Sequence, residues 1–116
     1  MKLSKEDLIR VNRGFGGDLR SDSSLDFAFS KLEDEKLGEY KKLAHLVRAI
    51  IVDHPFSDGN KRTAVFLAFN FAQEVDKWAD RDLLVHHALS IAKNNITDIN
   101  VIERRLRNAI NQQENK

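Results

Sequence analysis

Pro55 is the only proline in 116 residues, and it stands between the two most apolar stretches of the chain. Proline pushes the residue before it out of the helical region and lacks the N–H that a helix interior needs. It therefore ends one element and forces a turn before the next. Upstream, Tyr40, Leu43, Ala44, Val47, Ile50 and Ile51 recur at offsets of 3, 4, 7, 10 and 11 residues. That spacing makes one apolar stripe on a helix of about four turns. Downstream, Ala64, Val65, Phe66, Leu67, Ala68, Phe69, Phe71, Ala72 and Val75 are apolar on almost every side. A helix apolar all round is a buried one, so this segment is expected to be the centre of the molecule. With one proline and five glycines in all, few points remain where a helical chain is interrupted.

The remaining segments follow the same pattern. Ser4-Lys5-Glu6-Asp7 has the form of a capping box, and a short helix through Leu8, Ile9 and Val11 should follow it. Gly14, Gly16 and Gly17 break that helix and open a loop that runs to Ser24; a two-stranded hairpin inside this loop is an open alternative. Leu25, Ala28, Phe29 and Leu32 mark a further helix, which Gly38 is expected to end. Two more amphipathic helices carry Leu84, Ala88, Ile91 and Ala92, and then Ile99, Ile102, Leu106 and Ile110 behind a Thr97 or Asp98 cap. No segment alternates like a strand. The expectation is a single all-α domain over residues 1–116, a compact bundle of about six helices with a frayed tail from Gln112.

Composition excludes several kinds of function. The chain has no cysteine, so it has no disulfide, thiolate metal site or cysteine nucleophile. The N-terminus lacks an apolar h-region and no apolar run approaches membrane-spanning length, so a cytoplasmic protein without membrane contact is expected. The formal net charge is +1, which gives no general attraction to nucleic acid. Arg104, Arg105 and Arg107 are the densest basic cluster and read as one solvated face of the last helix. His86 and His87 are neighbours on a helix, point about 100° apart and make a poor metal pair. They read as structural histidines, as does His45 on the flank of the apolar stripe; Tyr40 and Trp78 read as core or rim aromatics.

The segment from His54 to Thr63 departs from this plain architecture. Gly59 and Asn60 lead straight into a helix, whose free N–H groups and positive dipole end make an anion site. Lys61 and Arg62 sit in its first turn, where cations oppose the dipole unless an anion compensates. Asp58 can hold Mg²⁺ together with substrate phosphates. The His54 imidazole can take a proton from a hydroxyl. Phe56, between polar neighbours, most simply turns inward and anchors the loop. Taken one at a time, these residues could be a helix end, an Asx cap and solvated cations. Taken together they point to a Mg²⁺–nucleotide site with a histidine base, hence to phosphoryl or nucleotidyl transfer. A His54–Asp58 transition-metal pair would need a helix between them, which Pro55 disfavours.

The same residues, HPFSDGNKRTA, resemble the signature of the Fic/Doc superfamily, whose Fic branch reads HPFx(D/E)GNGRxxR. The lysine form is similar to the Doc branch, the death-on-curing toxins. Gly16-Gly17, Arg20, Asp22, Leu25 and Ala28 look like the glycine-rich N-terminal stretch of Doc proteins. The resemblance implies the all-α Fic/Doc fold, with His54 as general base toward a target Ser or Thr hydroxyl. It implies that Asp58 holds Mg²⁺ or helps position the histidine and substrate, and that Gly59, Asn60, Lys61 and Arg62 form the cradle for the phosphates of ATP. Phe56 would be the structural anchor, and the loop with Gly16 and Gly17 the target-docking flap.

Two departures separate the branches. Lys61 stands where Fic AMP-transferases carry glycine, and Val65 stands where they carry a second arginine. Both features match the Doc branch, which implies transfer of the γ-phosphate to a protein target such as elongation factor Tu. The alternatives are a Fic-type AMP-transferase and an inactive module that binds only nucleotide or partner. No Ser or Thr is followed by Glu four residues later, so the family's inhibitory motif is absent. An antitoxin acting in trans is the implied regulator.

Overall fold

Ser4 starts the first helix as expected. Its hydroxyl accepts from the Asp7 N–H and the Asp7 carboxylate accepts from the Ser4 N–H, both at 3.1 Å. The computed structural model describes residues 1–111, so the expected frayed tail from Gln112 lies outside the described residues. Among the described residues there are six helices: α1 (Lys5–Gly14), α2 (Ser23–Leu32), α3 (Glu39–Asp53), α4 (Asn60–Glu74), α5 (Arg81–Lys93) and α6 (Ile99–Ala109). None is long and apolar enough to cross a membrane. The all-α bundle is thus the observed architecture.

The centre of that bundle is α3, not α4. The predicted stripe is buried in full, and Leu46 and Ala49 are buried with it. α3 packs against α2, α4, α5 and α6. α4 buries only one face, through Thr63, Ala64, Leu67, Ala68, Phe71 and Ala72. Phe66 is 40% exposed, and Val65 and Phe69 are half-buried. The all-round apolar character of α4 therefore reflects two apolar faces, one against the core and one open.

Gly38 does not end α2. That helix stops at Leu32, and Gly38 in extended backbone is instead the N-cap of α3. Asp98, of the two residues considered, caps α6 by accepting from Asn100 N at 2.9 Å. No hairpin forms within residues 14–24, and Leu19 pairs instead with Phe56 in an isolated antiparallel bridge. A two-stranded antiparallel sheet does occur, β1 (Trp78–Ala79) against β2 (Ile110–Asn111). Its strands have two residues each, too short for any alternation to register in the sequence.

Several of the residues set aside as structural have structural partners. Tyr40 stacks edge-on against Phe71, and the Arg107 guanidinium lies 4.3 Å from the Tyr40 ring centre. Arg107 also pairs with Glu103, and Arg105 donates to the Ser90 hydroxyl at 2.8 Å. Two of the three clustered arginines thus serve the fold. His45 packs beside Phe27 and Arg48, and His87 lies 3.2 Å from the Asn108 carboxamide.

Burial holds both imidazoles below the ordinary histidine range. Nearby Arg48 adds to this at His45. At His87 the Asn108 contact opposes the effect of burial and Arg105 reinforces it. The unfolded chain therefore takes up protons at a pH where folded His45 and His87 stay neutral, so stability falls on acidification. We expect a lower urea midpoint at about pH 5.5 than at about pH 7.5, with a smaller drop in the His45→Gln/His87→Gln variant. An unchanged drop in that variant would remove these two groups as the cause.

Candidate active site

His54 closes α3 in a left-handed conformation, with φ 50° and ψ 62°. Pro55 denies it the helical region, and histidine is among the residues that tolerate this alternative. Its ring is exposed and makes no hydrogen bond among the described residues. Pro55 is buried, and its carbonyl accepts from Arg20 N at 2.7 Å and from Ser21 N at 3.2 Å. Phe56 is 1% exposed, which gives it the anchoring position expected. Its burial contributes about 1.5–3 kcal/mol to holding the loop. The Asn60 carboxamide closes the turn, accepting from Phe56 N at 3.2 Å and donating to Phe56 O at 2.9 Å. The side chain of Asn60 is therefore committed to the loop, and what it offers a ligand is its backbone N–H.

The start of α4 differs from that of every other helix described. α1, α5 and α6 have capping side chains, and α2 and α3 carry Asp26 and Glu39 in their first turns. α4 has neither a capping side chain nor an acid in its first turn. Thr63 N is bonded to Gly59 O at 2.9 Å, and the amides of Asn60, Lys61 and Arg62 before it have no intrahelical acceptor. Lys61 and Arg62 are exposed and form no ion pair among the described residues. They line a depression of about 190 Å³ with Phe15, Asp58, Gly59 and Asn60. This collects open N–H donors and two cations that no carboxylate of the described residues approaches within ion-pair distance. One Asp58 oxygen accepts from Gly59 N at 2.7 Å, and the exposed carboxylate keeps its other oxygen for a ligand.

A larger groove of about 690 Å³ continues from this depression between α4 and α5. Val65, Phe66, Phe69, Val85, Ala88 and Leu89 give it an apolar floor, and Arg81 joins Lys61 and Arg62 at its edge. The open face of α4 is one wall of this groove.

Three features around the loop had no sequence signal strong enough to identify them. Asn12 is fully buried on α1 and donates to Asp58 O at 2.8 Å and to Thr63 Oγ1 at 3.0 Å. Phe15 packs edge-on against Phe66 and touches the loop at Gly59. Residues 18–20 run antiparallel to 55–57, with Ser57 N bonded to Asp18 O at 2.8 Å and Asp18 N to Ser57 Oγ at 3.0 Å. The expected flap is therefore sewn to the motif loop along one edge. Gly16 makes the turn into it at φ 88° with open space around it. Gly17 is not a free flap residue, since any Cβ there would collide with the Asp58 carbonyl and the Asn12 side chain. Gly59 is also required, with φ 72° and Phe15 Cβ only 3.1 Å from where its own Cβ would be.

A model of the Fic/DOC family matches residues 2–72. The chain belongs to this family. Members are typically protein transferases that attach AMP or phosphate to their targets. No curated protein and no solved structure matches the chain. The matched span contains Asn12, the 18–20 edge and the whole loop from His54 to Arg62, and it ends within α4. The α5 wall of the groove lies beyond it.

Gly17→Ala is expected to cost about 1–3 kcal/mol by overpacking. Gly14→Ala, with nothing near its Cβ position, is the control. Equal urea midpoints for Gly17→Ala and the parent chain would contradict the close approach of α1, residue 17 and the loop.

Proposed function

We propose that this Fic/Doc protein is a Doc-like toxin kinase, which transfers the γ-phosphate of ATP to a Ser or Thr hydroxyl of a protein target. The supporting observation is the uncapped N-terminus of α4, with Lys61 and Arg62 free of ion pairs among the described residues and with His54 and Asp58 on the same short loop. The open amides of Asn60, Lys61 and Arg62, with the two cations, bind the phosphate chain and hold the charge that builds up during transfer.

His54 accepts the proton of the target hydroxyl. The freed oxygen bonds to the γ-phosphorus as the bond from phosphorus to the β–γ bridging oxygen breaks. ADP leaves with that electron pair. An exposed ring with no competing hydrogen bond suits this task, because the base must reach a hydroxyl brought by another molecule. Among the described residues no group of three metal-ligating side chains gathers, and a lone carboxylate beside phosphate-binding amides fits Mg²⁺ bound through substrate phosphates and water. Asp58 would hold that ion, whose role is to neutralise phosphate charge.

The choice of phosphate over AMP rests on α4. Lys61 lines the depression, and Val65, at the position of the AMP-transferases' second arginine, lies on the apolar groove. The cradle thus has an added cation at its mouth and lacks the arginine that grips a triphosphate in the AMP-transferring orientation. Control in trans by an antitoxin is part of the same proposal. The groove's apolar floor and cationic edge suit an antitoxin segment with one apolar face and acidic residues beside it. The target proposed is a translation component, elongation factor Tu.

With ATP labelled at either the α- or the γ-phosphate, label is expected in a protein of a cell extract only from the γ position. Label from the α position would instead indicate AMP transfer. No label from either position with folded, antitoxin-free protein would indicate the inactive binding module. His54→Ala is expected to lower the rate by about 10²–10⁴. A variant that keeps the parent rate would remove His54 as the base.

A further inference from the structure

The buried amide of Asn12 has no part in the proposed transfer, yet it reaches the loop at the point that shapes the cradle. We propose that Asn12 is a positioning residue that locks the Asp58–Gly59 peptide in the orientation the phosphate site needs. The proposal rests on the reading that the α4 N-terminus binds phosphate.

The carbonyl and N–H of a trans peptide point in opposite directions. Here the Asp58 carbonyl turns inward to Asn12 Nδ2 at 2.8 Å, and the Gly59 N–H turns outward to Asp58 Oδ1 at 2.7 Å. Rotating this peptide by half a turn would set its carbonyl against the Asp58 carboxylate and its N–H against the Asn12 amino group. Glycine at 59 makes such a rotation sterically accessible, so something other than local backbone preference has to prevent it. The second Asn12 donor goes to Thr63 Oγ1, one turn into α4. One side chain on α1 therefore holds both ends of the segment that carries the open amides of Asn60, Lys61 and Arg62.

The orientation of the carboxamide is fixed by chemistry. The Asp58 carbonyl can only accept, so the nitrogen must face it. That leaves Asn12 Oδ1 buried without a partner. An unpaired buried oxygen is unfavourable, and an apolar side chain of similar size would avoid it. The contribution of Asn12 therefore lies in its two donated bonds rather than in filling space. Gly17 completes the arrangement, since only a residue without Cβ leaves Asn12 room to reach the loop.

The test separates binding from stability. Pyrophosphate is titrated into ¹⁵N-labelled protein while the amide signals of Asn60, Lys61 and Arg62 are followed, and thermal melting is measured in parallel. Asn12→Leu removes both donated bonds, so it is expected to melt below the parent temperature and to bind pyrophosphate about tenfold or more weakly, with a displaced Gly59 amide signal. Thr63→Val leaves the bond to Asp58 in place, and its affinity should stay within about twofold of the parent even where its melting temperature falls. If Asn12→Leu does not fold, Asn12→Ala is read in the same way. Parent-like affinity in the Asn12 variants, or equal losses in the Asn12 and Thr63 variants, would overturn the proposal. Pyrophosphate that moves none of these amides in the parent would overturn it together with the phosphate-site reading. Pyrophosphate binding that depends on Asn12, in a protein that transfers no phosphate, would overturn the kinase reading alone.

Discussion

The turn between α3 and α4 has to reverse the chain without using the first three amides of α4. A loop that satisfied those donors itself would be stable and would have nothing left for an anion. Its rigidity therefore comes from groups outside that set. The Asn60 carboxamide spans both backbone groups of Phe56, the Phe56 ring is sunk in the core, and residues 18–20 pair along one edge. Asn12 holds the other side. Each contact leaves the α4 amides free, and apart from the Asn60 clasp on Phe56, four residues back, the hydrogen bonds depend on residues distant in sequence.

That dependence explains the layout of the bundle. α3 is central because a stripe of eight buried residues can be covered on several sides by α2, α4, α5 and α6. α4 leaves the core at its start to present its N-terminus, and its second apolar face then opens toward α5. The groove that results joins the cationic mouth of the site to an apolar floor. The motif loop and the apolar groove thus share one helix, and Lys61 and Arg62 line both the depression and the groove.

Local signals carried much of this. The Ser4 capping box, the Tyr40–Ile51 stripe and the stop at Pro55 each depend on residues within a few turns of one another, and each stands in the structure as read. The cluster from His54 to Arg62 was legible because its residue types are hard to explain as a mere connector. What escaped was settled by distant contacts. Asn12 looks like an ordinary polar helix residue until α1 meets the loop 46 residues later. Gly17 reads as flap flexibility, although its role is to let two backbones approach. The open face of α4 reads as a buried one in the sequence, because periodicity counts apolar faces and does not say what covers them. Gly38 could have ended one helix or begun the next, and only the chain path between α2 and α3 decides.

In the proposed kinase, α4 receives the phosphate to be transferred, with Lys61 at the mouth and no arginine at position 65, where Val65 stands, to turn the nucleotide round. A crystal structure with Mg²⁺ and a non-hydrolysable ATP analogue tests this most directly. The γ-phosphate is expected on the side of His54, held by the amides of Asn60, Lys61 and Arg62. An α-phosphate in that place, with the γ-phosphate held deeper along α4, would contradict it.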